Sequence, residues 1–298
     1  MIIQASAFNI PLADQSVQLV VTSPPYFGLR NYADGTENDF GHEKTVSAYV
    51  EHTIQCLSEI RRVLKDEGIV FWNIGDCYAG SNKGWSSTGD GDGPANSTKA
   101  GLPRKYPKPT KSELPAKNLH LIPQRIAIAA QDDGWIVRGI FIWQKPNCIP
   151  ESVQDRCTRS YEEILMLVKQ KKYYWNQAEA REPAVSTTGK MSPPIGNVKH
   201  QAMGKATLEG NRTLLSETRN MRDVWSIPTK PHKEAHVAMF PEELVERCIH
   251  CGSQEGDIIL DPFAGSGTTG LVARSLNRKF VLLDISTEYV NLMRERLK

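Results

Sequence analysis

A glycine-rich turn, Asp261-Pro262-Phe263-Ala264-Gly265-Ser266-Gly267-Thr268-Thr269-Gly270, joins a short apolar run to an amphipathic one, and no other feature of the chain constrains its fold as much. Residues 258–260 read as a buried strand and 268–276 as a helix whose N-terminus faces the turn. Gly265 and Gly267 allow backbone geometry closed to other residues and let a ligand approach the main chain. The helix start offers unpaired N–H groups to an anionic or carboxylate-bearing ligand. Residues 280–283 read as a second strand that ends at Asp284, where a carboxylate can accept hydrogen bonds from two ribose hydroxyls. The turn therefore predicts a nucleotide-type binding loop in an α/β fold.

By itself the loop leaves its ligand open. Gly265-x-Gly267-x-x-Gly270 satisfies the dinucleotide fingerprint, and Asp284 lies near the expected spacing. Two observations weigh against a nicotinamide enzyme. Asp261-Pro262-Phe263 intervenes between strand and glycines, and only 28 residues follow Gly270 (298 − 270), so the remaining strands are expected upstream. No lysine follows the glycines, which excludes a phosphate-binding P-loop.

Thr22-Ser23-Pro24-Pro25-Tyr26, at the end of the apolar run 17–21, is the second constellation. Pro24 and Pro25 lack N–H groups and have fixed φ, so they halt a strand and leave rigid carbonyls beyond it. Ser23 adds a hydroxyl and Tyr26 a flat ring. Acceptors beside an aromatic platform suit a planar base carrying an amino group, although a Pro-Pro turn with a core tyrosine accounts for the pentapeptide taken alone.

With the catalytic-type motif early and the glycine loop late, the chain resembles the beta-class amino DNA methyltransferases. Trp143-Gln144-Lys145-Pro146-Asn147, followed by Arg156, Arg159 and Tyr161-Glu162-Glu163, is similar to that family's block after its later strands. Asp223-Val224-Trp225 and His236-Val237-Ala238-Met239-Phe240-Pro241 are similar to the segment leading into its cofactor half. The resemblance implies a mainly parallel, seven-stranded methyltransferase sheet of Rossmann-like α/β type, circularly permuted, with an inserted target-recognition region. It implies S-adenosylmethionine as cofactor, with Asp261, Phe263, Gly265 and Gly267 on the methionine side and Asp284 on the ribose. Ala264, Ser266, Thr268 and Thr269 complete that loop, and His236 and Pro241 help close the pocket. The family often has a Gly-Asp pair after its first strand, whereas the aligned stretch here is Gln4-Ala5-Ser6.

Composition sets the remaining bounds. With 298 residues, 40% of them hydrophobic, the chain can bury a large core. The expected layout is a catalytic half at 1–170 with a basic loop at 79–118, a target-recognition insertion at 171–233, and a cofactor half at 234–298. The net charge is only +2, yet 171–233 holds eleven Lys and Arg against five acids, and 79–118 seven against three. Beside a base-binding motif these stretches suggest contacts to DNA phosphates; taken singly they read as solvated linkers. No run approaches membrane-spanning length and the N-terminus lacks a signal peptide, so a cytoplasmic protein is expected. The six cysteines do not form a disulfide framework pattern, and Cys248-x-x-Cys251 falls in a helical stretch with no second pair, which favours packing over a metal site.

The chemistry follows from what is present. Methylating a ring carbon of cytosine calls for a cysteine nucleophile, usually in a Pro-Cys dipeptide, and the sequence contains none. Direct transfer to an exocyclic amine needs no nucleophile, only acceptors such as Ser23 and the Pro24 carbonyl to free the amine lone pair. The base must leave the duplex first. Pro25 stiffens the loop, and Tyr26 would stack on the base. In the family, serine before Pro-Pro usually accompanies cytosine, so N4-cytosine methylation of double-stranded DNA is expected, with N6-adenine as the alternative. A nicotinamide dehydrogenase and a non-catalytic DNA-binding module are rivals from other classes. A homodimer and a cognate restriction endonuclease are compatible with the resemblance.

Overall fold

The computed structural model describes residues 1–28, 40–80, 114–184, 218–229 and 241–298. Most of the basic stretch 79–118, much of 171–233, and His236 lie outside the described residues.

Strands β1 (Ile2–Gln4), β2 (Val17–Thr22), β3 (Leu64–Ile74), β4 (Ile136–Gln144), β5 (Tyr161–Val168), β8 (Val224–Ser226), β9 (Ile258–Asp261) and β10 (Lys279–Asp284) form one sheet in the order β1-β10-β9-β2-β3-β5-β4-β8. All pairings are parallel except those of β5, which runs antiparallel to both β3 and β4. β6 (Arg181–Pro183) and β7 (Thr218–Asn220) make a separate antiparallel pair. The sheet carries one strand more than the expected seven. The short β8, inside the segment 171–233, adds itself to the edge at β4, where Trp225 is buried and its Nε1–H donates to the Arg222 carbonyl at 2.8 Å.

Sequence periodicity explains the layers. α1 (Val46–Val63) buries Tyr49, Thr53, Cys56, Leu57, Ile60 and Val63, an i, i+3/i+4 stripe, and Thr45 caps it by accepting from the Ala48 N–H at 3.1 Å. α1 and α2 (Ile122–Asp132) cover one face, packing on Val20, Val70, Trp72 and Leu260. The alternate residues Leu19, Val21, Ile69, Phe71 and Ile259 point to the other face, against α3 (Glu242–Gly252) and α4 (Thr268–Ser275). α5 (Thr287–Arg296) packs there too, on Leu282. β2 is buried at every position because strands flank it on both sides and helices cover both faces. Cys248 and Cys251 are fully buried in the second core cluster, and no metal-binding group of His, Cys, Asp and Glu occurs among the described residues. No described helix is long and apolar enough to cross a membrane.

Gly270 shows how tightly α4 sits on the sheet. A Cβ there would lie 2.6 Å from Leu282 Cδ1 and 3.2 Å from Phe280 Cδ2 and Leu297 Cδ1. Leu282 is fully buried and has nowhere to retreat. Gly270→Ala should therefore destabilise the protein by about 1–3 kcal/mol despite alanine's better helix propensity, read as a lower urea midpoint at unchanged m-value.

Candidate active site

The C-terminal ends of β1, β2, β3, β4, β9 and β10 share one edge of the sheet, and the antiparallel β5 begins at that edge. Open α/β sheets bind ligands there. The glycine loop follows β9 and the Ser-Pro-Pro-Tyr segment follows its neighbour β2, so motifs more than two hundred residues apart in sequence become adjacent.

Asp261 joins them. Its Oδ1 accepts from the Thr22 hydroxyl at 2.6 Å and from the Phe263 N–H at 3.1 Å, and its Oδ2 accepts from the Thr269 hydroxyl at 2.6 Å. Burial pushes this carboxyl up to about 6, against the downward pull of those three hydrogen bonds. Both its oxygens are thus committed to the protein. In the same loop Gly265 and Gly267 adopt φ of 50° and 81°, the left-handed region that favours glycine. A Cβ at Gly265 would meet nothing within 4 Å, so the main chain there borders open space. Gly267 is the N-cap of α4 and no side chain caps that helix start.

Asp284 closes the loop from the next strand. Its Oδ2 accepts from the Gly265 N–H and its Oδ1 from the Ser286 N–H, both at 2.9 Å. Burial raises its pKa, offset by these backbone donors. The Ala264 N–H reaches the Leu283 carbonyl, so the loop folds across the tip of β10. Gln4-Ala5-Ser6 lies beside it: Gln4 pairs with Asp284, and the Ala5 N–H donates to the Asp284 carbonyl. Phe263 stacks on Phe40 with centroids 5.3 Å apart.

Two loop side chains turn elsewhere. Arg296, in the last turn of α5, donates to the Ser266 hydroxyl and carbonyl at 3.1 Å and to the Thr268 hydroxyl at 3.2 Å, and pairs with Glu242 of α3 at 3.7 Å. Nothing in the sequence marks this residue. Pro241 is buried at the N-cap of α3.

On the β2 side, Ser23 is half-buried and Pro24 buried. The Pro25 carbonyl accepts from the Tyr49 hydroxyl at 2.8 Å, which fixes the second proline to α1. Tyr26 is anchored at its hydroxyl: it donates to Glu162 Oε2 at 2.6 Å and accepts from Asn73 Nδ2 at 2.7 Å. Its ring rests on Gly75, where a Cβ would come within 2.7 Å of Cε2. Lys145, just past β4, pairs with Glu162 Oε1 and lies over the Trp143 ring at 4.3 Å. The family resemblance covers the blocks containing Lys145 and Glu162 without giving either a task. Asn73 falls outside those blocks; its one signal is a lone amide inside the apolar run of β3.

Nearby, Asp76 caps α2 by accepting from the Ile122 N–H at 3.2 Å and faces Arg159 at 3.6 Å. Burial, with Asp76 adding to it, pushes the Cys77 thiol up to about 12, which favours its protonated form, and its sulfur lies 3.3 Å from His120 Nδ1.

Residues 17–295 match the family model described as DNA methylase. The type II methyltransferase M.XycI of Xanthomonas campestris pv. cyanopsidis is 39% identical over 288 residues, covering 96% of this chain and 83% of that one. M.SmaI of Serratia marcescens is 38% identical over 278 residues, covering 93% and 83%. Among solved structures, the cytosine-N4-specific PvuII DNA methyltransferase superposes with a TM-score of 0.64 at 18% identity, covering 100% of this chain and 86% of that one. M1.HpyAVI, solved with S-adenosylmethionine, superposes with a TM-score of 0.52 at 18% identity, covering 99% and 98%.

Proposed function

The chain belongs to the beta-class amino DNA methyltransferases of the DNA methylase family, and from that membership we propose that it methylates the exocyclic N4 amine of a cytosine in double-stranded DNA. Its cofactor is S-adenosylmethionine, which supplies the electrophilic methyl group. The residues at the edge of the sheet fit it. Open space borders the Gly265 main chain, the N-terminus of α4 has no side-chain cap, and the Asp284 carboxylate, held by backbone N–H groups, has acceptor capacity suited to ribose hydroxyls. Ala264, Gly265, Gly267 and the N–H groups at the start of α4 would hold the cofactor through the main chain. Phe263 would offer an aromatic wall. Asp261, Ser266, Thr268 and Thr269 would shape the loop through the hydrogen bonds described above, and Pro241 would set the start of α3 beside it.

The observation that carries the base assignment is Ser23, a hydroxyl where the family's adenine enzymes usually place Asp or Asn. Ser23 Oγ and the Pro24 carbonyl would accept the two amine N–H groups, draw the nitrogen lone pair out of conjugation and stabilise its growing positive charge. Pro25, tied to Tyr49, would keep those acceptors rigid. The Tyr26 ring would stack on a base extruded from the duplex. DNA phosphates would meet the basic segment 171–233, whose described part includes Arg181, Arg219 and Arg222, the last two paired with Glu182. We read that segment as a target-recognition insertion between the catalytic half at 1–170 and the cofactor half at 234–298. The proposal includes a cytoplasmic setting, and the type II names of the relatives suggest a cognate endonuclease.

Mass spectrometry of nucleosides from unmethylated DNA, treated with purified protein and S-adenosylmethionine, tests the assignment. N4-methylcytosine is the expected product; N6-methyladenine would overturn the choice of base and keep the reaction type.

A further inference from the structure

We propose that Glu162 is a positioning residue that fixes the direction of the hydrogen bonds through Tyr26 and so makes Ser23 Oγ an acceptor towards the target amine. The inference rests on the role proposed for Ser23.

The argument is a count of donors and acceptors. A carboxylate can only accept. Glu162 Oε1 is occupied by the Lys145 ammonium, which the Trp143 ring also holds, and Oε2 takes the Tyr26 hydroxyl proton at 2.6 Å. That proton is the only one the phenol has, so Tyr26 Oη can act towards Ser23 only as an acceptor. Asn73 Nδ2 is likewise donor-only: it gives to Tyr26 Oη at 2.7 Å and Glu162 Oε2 at 2.9 Å, and more weakly to Ser23 Oγ at 3.3 Å, where it engages one of the two serine lone pairs. In the 3.2 Å contact between Ser23 Oγ and Tyr26 Oη, the serine must therefore donate. With its proton directed at Tyr26 and one lone pair facing Asn73, Ser23 Oγ keeps its second lone pair for an amine N–H. Every link is part-buried, where water competes weakly for these bonds and a chain of them polarises cooperatively.

Glutamine at 162 would remove this constraint. Its amide can donate to Tyr26 Oη, which frees the phenol proton to point at Ser23 Oγ and occupy the lone pair the amine needs. Glu162→Gln should lower kcat by about 10-fold or more, close to one hydrogen bond's contribution, with the KM for S-adenosylmethionine unchanged. The decisive readout is a double-mutant cycle with Ser23→Ala. In the Ser23→Ala background the Glu162→Gln change should have no further effect on kcat, because the acceptor it orients is gone.

A merely structural role for Glu162 would multiply the two losses, and that result overturns the proposal. So does Glu162→Gln with full kcat. Full turnover of Ser23→Ala overturns the role of Ser23 itself and the inference with it, whereas loss in Ser23→Ala but not in Glu162→Gln sinks the inference alone. Should Glu162→Gln fail to fold, Tyr26→Phe in the same cycle decides. It deletes the oxygen that takes the serine proton, so its kcat loss should vanish in the Ser23→Ala background, and independent losses would overturn the proposal.

Discussion

Ser23→Ala is expected to lower kcat by about 10²–10³-fold while the binding of S-adenosylmethionine, measured by calorimetry, stays as it was. An acceptor that meets the amine most strongly as positive charge develops acts on the barrier and hardly on the ground state. The two roles fall on different loops, since Ser23 follows β2 while the glycine loop and Asp284 follow β9 and β10. Loss of the hydroxyl also leaves the surroundings intact: Tyr26 keeps its bonds to Glu162 and Asn73, and the stability change should stay near ~1 kcal/mol. Single-turnover assays with saturating DNA give the chemical step directly. Turnover equal to the wild type would remove Ser23 from the mechanism.

Asp261→Ala is expected to have the largest effect on stability, about 3 kcal/mol or more, because it orphans the buried Thr22 hydroxyl and the Phe263 N–H and leaves the Thr269 hydroxyl only a 3.5 Å contact to the Val21 carbonyl. Thr22 precedes Ser23, and Thr269 lies in the first turn of α4, so both binding loops lose their common tether. A kcat loss on the order of 10²-fold should accompany the instability.

Asp261→Asn should behave differently, and pH shows how. Burial raises the folded pKa to about 6 from an ordinary 3.8, so the folded state binds the proton more tightly than the unfolded state. The stability this group contributes is therefore fully present below about pH 3.8 and is lost as pH rises through about 6. Asparagine does not titrate. It can accept from Thr22 and Phe263 at Oδ1, while Thr269 turns its proton to the Val21 carbonyl, now 3.5 Å away. The stability of Asp261→Asn relative to the wild type should rise between about pH 4 and 6 and level off above, measured by urea unfolding across that range. A difference that is flat with pH would show that Asp261 does not titrate in this window.

Much of the scaffold is legible in the amino-acid sequence alone. The apolar runs and the 3.6-residue pattern place β2, β9, α4 and β10 to within a few residues, because each buries one face or both. β6, β7, β8 and the three-residue β1 carry no such pattern. A strand that short is held by its neighbour's free hydrogen-bonding edge, a tertiary fact.

The same division runs through the site. Local chemistry alone marks the glycine loop, Asp284 and Ser-Pro-Pro-Tyr, since fixed φ, left-handed glycines and a carboxylate at a strand end are properties of neighbours in sequence. The amino-acid order also determined that the two motifs belong to one α/β sheet with the catalytic-type motif first. Only the tertiary structure decided which of these side chains are committed to protein partners. It tied Asp261 to Thr22 and Thr269, drew Ser266 and Thr268 to Arg296, and gathered Asn73, Lys145 and Glu162 around Tyr26. The reason is physical. A hydrogen bond is set by distances of a few ångströms between groups that the sequence separates by as many as 136 residues for Tyr26 and Glu162 and 239 for Thr22 and Asp261, and no local pattern encodes such a pairing.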